Sequence, residues 1–311
     1  IALHLGVVLR DFKSGVLDED VVENVDETHF VINADNGKTL GFRGDENVKY
    51  ADVVSGGIGM TMVARITGGP LARIEVPMII FQNDNCSYPI RGLEDAVPGV
   101  AYRTARKGFM TSVVWKQWLS EPRVQSTRNQ GNRTRVIWCD NYGGHKDDSA
   151  VQDCLTRLNA SVRKLPPYST DKVQPCDSFV ISKIKDAWTD GWEKYKLEAI
   201  KSGSGFQNSG RRNGRSSGAL KNPGKKFFLE LAAAAVRHVN DQRDANELTF
   251  ARKAMIRCGL SLDVNGVWHE KQLSPELQEI INTHRVYFEG KSVPAWNAVD
   301  QSEVENTQDC A

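Results

Sequence analysis

At the start of the chain Ile1, Leu5, Val8 and Leu9 fall near helical spacing and the pattern breaks at Ser14-Gly15, which predicts a short amphipathic helix. From Val21 the rhythm shortens. Two β-rich runs, 21–25 and 28–33, flank Asp26-Glu27 and close at Asn36-Gly37, a pattern that predicts a hairpin with acid at the strand end. Residues 47–57, 59–69 and 74–83 are each rich in Val, Ile, Thr or aromatics and bounded by glycines or polar turns, so a strand meander is expected to follow. A helix fits 109–123, with Phe109, Val113, Trp115, Trp118 and Leu119 as its apolar stripe and Pro122 near its end.

The pattern then alternates. Residues 134–139 form a compact apolar strand delivering Asp140, 150–160 place Val151, Cys154, Leu155 and Leu158 on one helical face, and 161–165 form another strand. Strand, helix, strand implies a parallel pair joined by a crossover. Pro175 suits the first turn of a long helix in which Val180, Ile184, Trp188, Trp192 and Tyr195 share a face, and Asp177 sits in that first turn. Residues 201–226 are Gly/Ser-rich and basic without a single acid, which predicts a flexible linker. Beyond it, 227–239, 246–260 and 274–284 each predict a helix, and 291–311 a disordered tail.

Composition changes this picture little. With 311 residues, 40% hydrophobic and 25% charged, the chain has ample material for a large core. Its formal charge of +1 does not advertise a polyanion partner, so any such partner must be met by local features. The six cysteines show no CxxC pair and no zinc-like spacing, which favours reduced thiols. No apolar run approaches the ~20 residues that span a bilayer, so no membrane partner is expected. The chain starts at Ile1, without a methionine, and reads as a piece of a longer protein.

Chemistry concentrates in three phrases: Asp26 in NVDETHF, Asp140 in VIWCDNYGGH and Asp177 in LPPYSTDKVQPCD. Charge at the end of an apolar strand is costly unless something compensates it, and hard carboxylate oxygens are what Mg²⁺ prefers. Taken singly, each has a plainer reading: Asp26 as a hairpin acid, Asp140 as an Asx turn with Asn141, and Asp177 as an acid complementing a helix N-terminus. His145, after the Gly-Gly turn, is a secondary candidate for orienting a phosphate or water. A histidine alone in a loop is more often a helix cap or exposed. Glu27 should face away from Asp26 if the strand continues, outside any shared metal site. Trp115, Trp118, Trp188 and Trp192 are expected to pack rather than to stack on bases. In the linker, Arg211, Arg212, Arg215, Lys221, Lys225 and Lys226 are candidates for DNA phosphate contacts, against the alternative of a solvated loop.

These phrases, with NGKTLGFRG, KYADVVSGGIGMT and YPIRG, resemble the DDE superfamily endonuclease domain of pogo/Tigger/jerky-like transposases of the Tc/mariner superfamily, over roughly residues 20–200. The resemblance implies an α/β fold, a ribonuclease H-like mixed sheet flanked by helices, here with a C-terminal helical extension. It also implies catalytic, metal-binding roles for Asp26 (from the DET phrase), Asp140 (DNxxxH) and Asp177 (QPxD), holding two Mg²⁺ or Mn²⁺ ions. Thirty-six residues separate Asp140 from Asp177, which suits the DDD pattern of that family. Val25 and Cys176 replace a common methionine and leucine, both as apolar neighbours. The expected partners are DNA, as transposon ends and target, and a second copy in a homodimer; the expected place of action is the nucleus. A DNA-binding helix-turn-helix is expected upstream of Ile1. The competing expectation is a domesticated, catalytically silent protein that keeps the fold and binds DNA or chromatin. The organisation implied is an N-terminal helix over 1–19, the catalytic domain over 20–200, a basic linker over 201–226, a helical region over 227–290 and a tail over 291–311.

Overall fold

A computed structural model describes residues 1–30, 59–125, 131–145, 148–202 and 222–291. The expected hairpin turn at Asn36-Gly37, the strand over 47–57, the tail over 292–311 and the linker with Arg211, Arg212, Arg215 and Lys221 lie outside the described residues.

Six strands form one mixed sheet in the order β4-β3-β2-β1-β5-β6. They are β1 (Val22–Phe30), β2 (Met60–Thr67), β3 (Met78–Gln82), β4 (Ala101–Ala105), β5 (Arg135–Cys139) and β6 (Ala160–Lys164). β1, β2 and β3 run antiparallel in succession, whereas β5 lies parallel to β1 and β6 parallel to β5. With helices on both faces, this is the ribonuclease H-like arrangement. The crossover between β5 and β6 is α3 (Ser149–Arg157), as the alternating pattern predicts.

One strand expectation gives way. β1 is one continuous strand through Asp26 and Glu27, not two runs broken between them, because alternation sends the two acids to opposite faces where each finds a partner. The antiparallel succession ends at β3, where the run over 74–83 ends; β4, whose AYRTA sequence has no long apolar run and is not among the expected strands, pairs parallel with β3 at the sheet edge.

The faces carry separate cores. One packs Val25, Val63, Ile80, Ile137 and Cys139 against α2 (Ser112–Ser120) and α3. Thr111 caps α2 by accepting from the Val114 N–H at 3.2 Å, so Phe109 lies before the helix; it and Val113 are exposed, while Val114, Trp115, Trp118 and Leu119 are buried. The other face packs Val22, Met62, Ile79 and Trp138 against α1 (Ala2–Ser14), α5 (Ile181–Ser202), α6 (Lys225–Asp241), α7 (Phe250–Arg257) and α8 (Pro275–Thr283). Trp188 and Trp192 lie in this core, so all four tryptophans assigned to packing are buried. No helix among the described residues is long and apolar enough to cross a membrane, and the five described cysteines are free.

Candidate active site

Alternation along β1 decides what each acid meets. Asn24, Asp26, Thr28 and Phe30 look toward the α5 side; Val25, Glu27 and His29 look toward α2. Across the parallel pair, Asn24 is level with Trp138, and continuing that register by two residues sets Asp140 alongside Asp26. The third aspartate arrives from the α5 side. Between the short α4 (Thr170–Val173) and α5, residues Cys176–Val180 form a π-helical turn carrying Asp177. Such one-turn bulges often mark functional sites, because they rotate a side chain out of the regular helical frame.

Asn24 fixes that turn to the sheet. Its buried side chain accepts from the Cys176 N–H at 2.9 Å and donates to the Trp138 carbonyl at 3.0 Å, tying together β1, β5 and the residue preceding Asp177. The signal in the sequence is a polar residue inside an apolar strand, two places before Asp26 and on its face, which the strand pattern alone does not single out.

The carboxyl groups of Asp26 and Asp177 are near neighbours, each shifting the other's titration. Burial, then the nearby Asp177 charge, pushes Asp26 up to about 9, against the Glu27 N–H, which donates to its Oδ1 at 2.8 Å. Asp177 is exposed on its outer side, yet desolvation of its carboxyl and the charge of Asp140 raise it too, while Asp26 and Lys185 oppose. The pair therefore shares a proton when no cation is present.

Asp140 is held differently. Its Oδ1 accepts from the Tyr142 N–H at 3.1 Å, so the Asx turn that Asp140 alone suggests is present, and also from His145 Nδ1 at 3.0 Å. Burial raises its pKa, but the His145 hydrogen bond, the Tyr142 N–H and the charges of His145 and Lys164 outweigh burial and leave it lowered. His145 is neither cap nor exposed: it is buried, with Nε2 donating to Glu27 Oε1 at 2.9 Å and its ring edge-on to Trp115. Burial disfavours its charge, yet hydrogen bonds to Asp140, Cys139 and Glu27 carry it up to about 11. Glu27 thus faces away from Asp26 and reaches Asp140 through an imidazolium.

Two further groups brace this loop. Asn141 donates through Nδ2 to the Leu165 carbonyl at 2.7 Å, and Lys164 Nζ donates to the Asp140 carbonyl at 3.0 Å. Nothing in the strand pattern marks Lys164. Of the linker cations, only Lys225 and Lys226 fall among the described residues; they open α6, with Lys225 over the Phe81 ring and Lys226 facing Glu94.

The donor chemistry fits a divalent cation. Two hard carboxylates, buried Asp26 and more exposed Asp177, are set side by side, and the charge of the third is felt at Asp177. The side chains do not yet converge as a set: among the described residues, no three His, Cys, Asp or Glu groups are gathered closely enough to hold a metal. The hydrogen bond from His145 to Asp140 keeps that carboxylate in its own loop.

A family profile described as DDE superfamily endonuclease matches residues 72–243, more than half of the chain. Asp140 and Asp177 lie within that span and Asp26 precedes it. None of the curated proteins compared with the chain matches it. Among solved structures, the Mos1 strand transfer complex is 17% identical, covering 60% of this chain and 46% of that one, with a TM-score of 0.37. The Mos1 transposase paired-end complex with left transposon end is 13% identical over 77% of this chain and 58% of that one, TM-score 0.38. The catalytic domain of Mos1 mariner transposase is 10% identical over 83% and 92%, TM-score 0.34. The chain thus spans about half the length of the first two.

Proposed function

Because this chain belongs to the DDE superfamily endonuclease family, we propose that it is a pogo-like, divalent-metal-dependent DNA endonuclease and strand-transfer domain whose catalytic residues are Asp26, Asp140 and Asp177. The observation that carries this reading is the pairing of the Asp26 and Asp177 carboxyl groups, both raised in pKa, with the charge of Asp140 felt at Asp177. These three carboxylates would hold two Mg²⁺ or Mn²⁺ ions, which when bound supply an activated water or 3′-hydroxyl and stabilise the departing oxygen of a phosphodiester. Asp26 and Asp177 would give up their shared proton on holding such an ion. His145 and Glu27 fix the orientation of Asp140, and Asn24 sets the turn that presents Asp177. Hydrolysis and joining are both phosphoryl displacements and need no covalent protein intermediate.

On this reading the DNA partners are transposon ends and target, met by a homodimer in the nucleus with an upstream helix-turn-helix. Residues 20–200 are the catalytic unit and the linker cations neutralise phosphates. Replacing Arg211, Arg212 and Arg215 by glutamine is then expected to lower the slope of log affinity against log salt by about 2–3, at ~0.9 for each phosphate left without its arginine on duplex DNA.

The deciding experiment pairs calorimetric titration of Mg²⁺ or Mn²⁺ with nicking of a labelled duplex, for the chain and its Asp140→Asn variant. Metal binding and nicking that vanish together in the variant support the reading. An absence of metal binding in the unsubstituted chain overturns it in favour of a catalytically silent DNA-binding protein.

A further inference from the structure

Three large aromatic side chains stand in solvent on segments that adjoin the aspartate-bearing elements. Tyr168 is fully exposed, at 103% relative accessibility, with Tyr142 at 49% and Phe109 at 47%. Tyr168 also has a φ of 54°, a left-handed conformation that a bulky residue adopts only at a cost. The fold enforces it from both sides. On one side, Leu165 donates its N–H to the Cys139 carbonyl at 2.9 Å and accepts from Asn141 at 2.7 Å, so the loop is stapled to both neighbours of Asp140. On the other, buried Ser169 donates to the Pro166 carbonyl at 2.6 Å and its own carbonyl accepts from the Lys172 and Val173 N–H groups, starting the α4 turn that leads to Asp177. Three residues on, the Tyr168 backbone stays within ~10 Å of Leu165, which is hydrogen-bonded to both neighbours of Asp140.

Tyr142 is placed with similar constraint. Its ring lies edge-on to His145 with centroids 6.0 Å apart, and a Cβ on Gly144 would fall 2.7 Å from the ring, so glycine leaves the room this ring occupies. Phe109 rests against His29, on the strand that carries Asp26. Cations frame the same edge: Lys164 at the Asp140 loop, and exposed Lys185, whose charge is felt at both Asp177 and His29. Rigidly presented rings interleaved with lysines are how proteins seat unpaired nucleotides, the rings on bases and the cations on phosphates.

Building on the nuclease reading, we propose that Tyr168 and Tyr142 form a stacking subsite for unpaired nucleobases next to the scissile phosphate, with Phe109 at its rim. The strand engaged is then one whose bases are splayed out of the duplex, and a strand end already opened binds better than an intact duplex.

The test uses the 311-residue chain in chelator with a single-stranded oligothymidylate carrying one 2-aminopurine. Saturable quenching of the probe is expected, with affinity falling about tenfold in Tyr168→Ala and retained in Tyr168→Phe, since stacking needs the ring and not the hydroxyl. The salt slope should be the same in all three proteins, because every phosphate-neutralising cation is kept. Equal affinity and quenching in Tyr168→Ala, or no quenching by the unsubstituted chain, overturns the subsite. Nicking with Mg²⁺ is scored separately: Tyr168-dependent quenching without nicking sinks the nuclease reading while leaving the subsite standing, and nicking without such quenching does the reverse.

Discussion

Asp26 and Asp177 make the folded chain a proton store. A carboxyl that titrates at about 9 in the fold, against an ordinary 3.8, keeps its proton across a range where the unfolded chain has already lost it. Its contribution to stability is therefore full below about pH 4 and is lost as pH rises through about 9. In chelator, the thermal midpoint is expected to fall between pH 5 and 9, and Asp26→Asn should flatten that fall. Added Mg²⁺ should restore the midpoint at high pH by substituting for the shared proton, and calorimetry in buffers of different ionisation heat should detect the proton's release. A second residue-scale prediction concerns Asn24. Asn24→Leu leaves the Cys176 N–H and Trp138 carbonyl buried without their partner, at a cost of about 1–3 kcal/mol for each group in denaturant unfolding. Metal affinity should drop as well, because the turn bearing Asp177 loses its tie to the sheet.

At the scale of elements, the π-helical turn is held from behind as much as from the sheet. α7 packs directly on it, with Phe250 against Phe179 and Lys253 over the same ring, and α7 is anchored in turn by a buried cluster. There Glu19 Oε2 accepts from Arg252 and Ser261, both at 2.6 Å, and from the Leu262 N–H at 2.8 Å. Arg252→Ala strands a buried carboxylate and should cost about 3–5 kcal/mol, read from denaturant unfolding; a chain ended at Asp241 should fail to hold Asp177 at all. These dependencies are illegible in the sequence because they join residues over 200 positions apart. What is legible comes from periodicity: α3, α5, α7 and α8 follow their apolar stripes, and the β5-α3-β6 crossover follows the alternation. The expected break in β1 fails because two adjacent acids look like a turn unless each has a partner across the fold. Phe109 fails as a core residue because the Thr111 cap starts α2 after it, and Val113 because α2 turns Val114, Trp115, Trp118 and Leu119 inward instead.

For the molecule as a whole, the sheet divides labour between its faces. The α5 side brings Asp26 to Asp177, and the α2 side brings Glu27 and His145 to Asp140, so the two halves of the site are supported by separate cores. The three aspartates stand out from their phrases, whereas the imidazolium bridge between Glu27 and Asp140 emerges only once β1 is packed against α2. This division sets what kinds of genetic change the chain can survive. Adjacent acids on opposite faces mean that deleting one β1 residue ahead of Asp26 moves Glu27 into the place level with Asp177 and leaves Thr28, with no carboxylate, in the place that meets His145. A lineage carrying this domain can therefore drift by substitution through much of β1, yet a single in-frame codon deletion there dismantles both halves of the site at once while leaving all three aspartate codons readable.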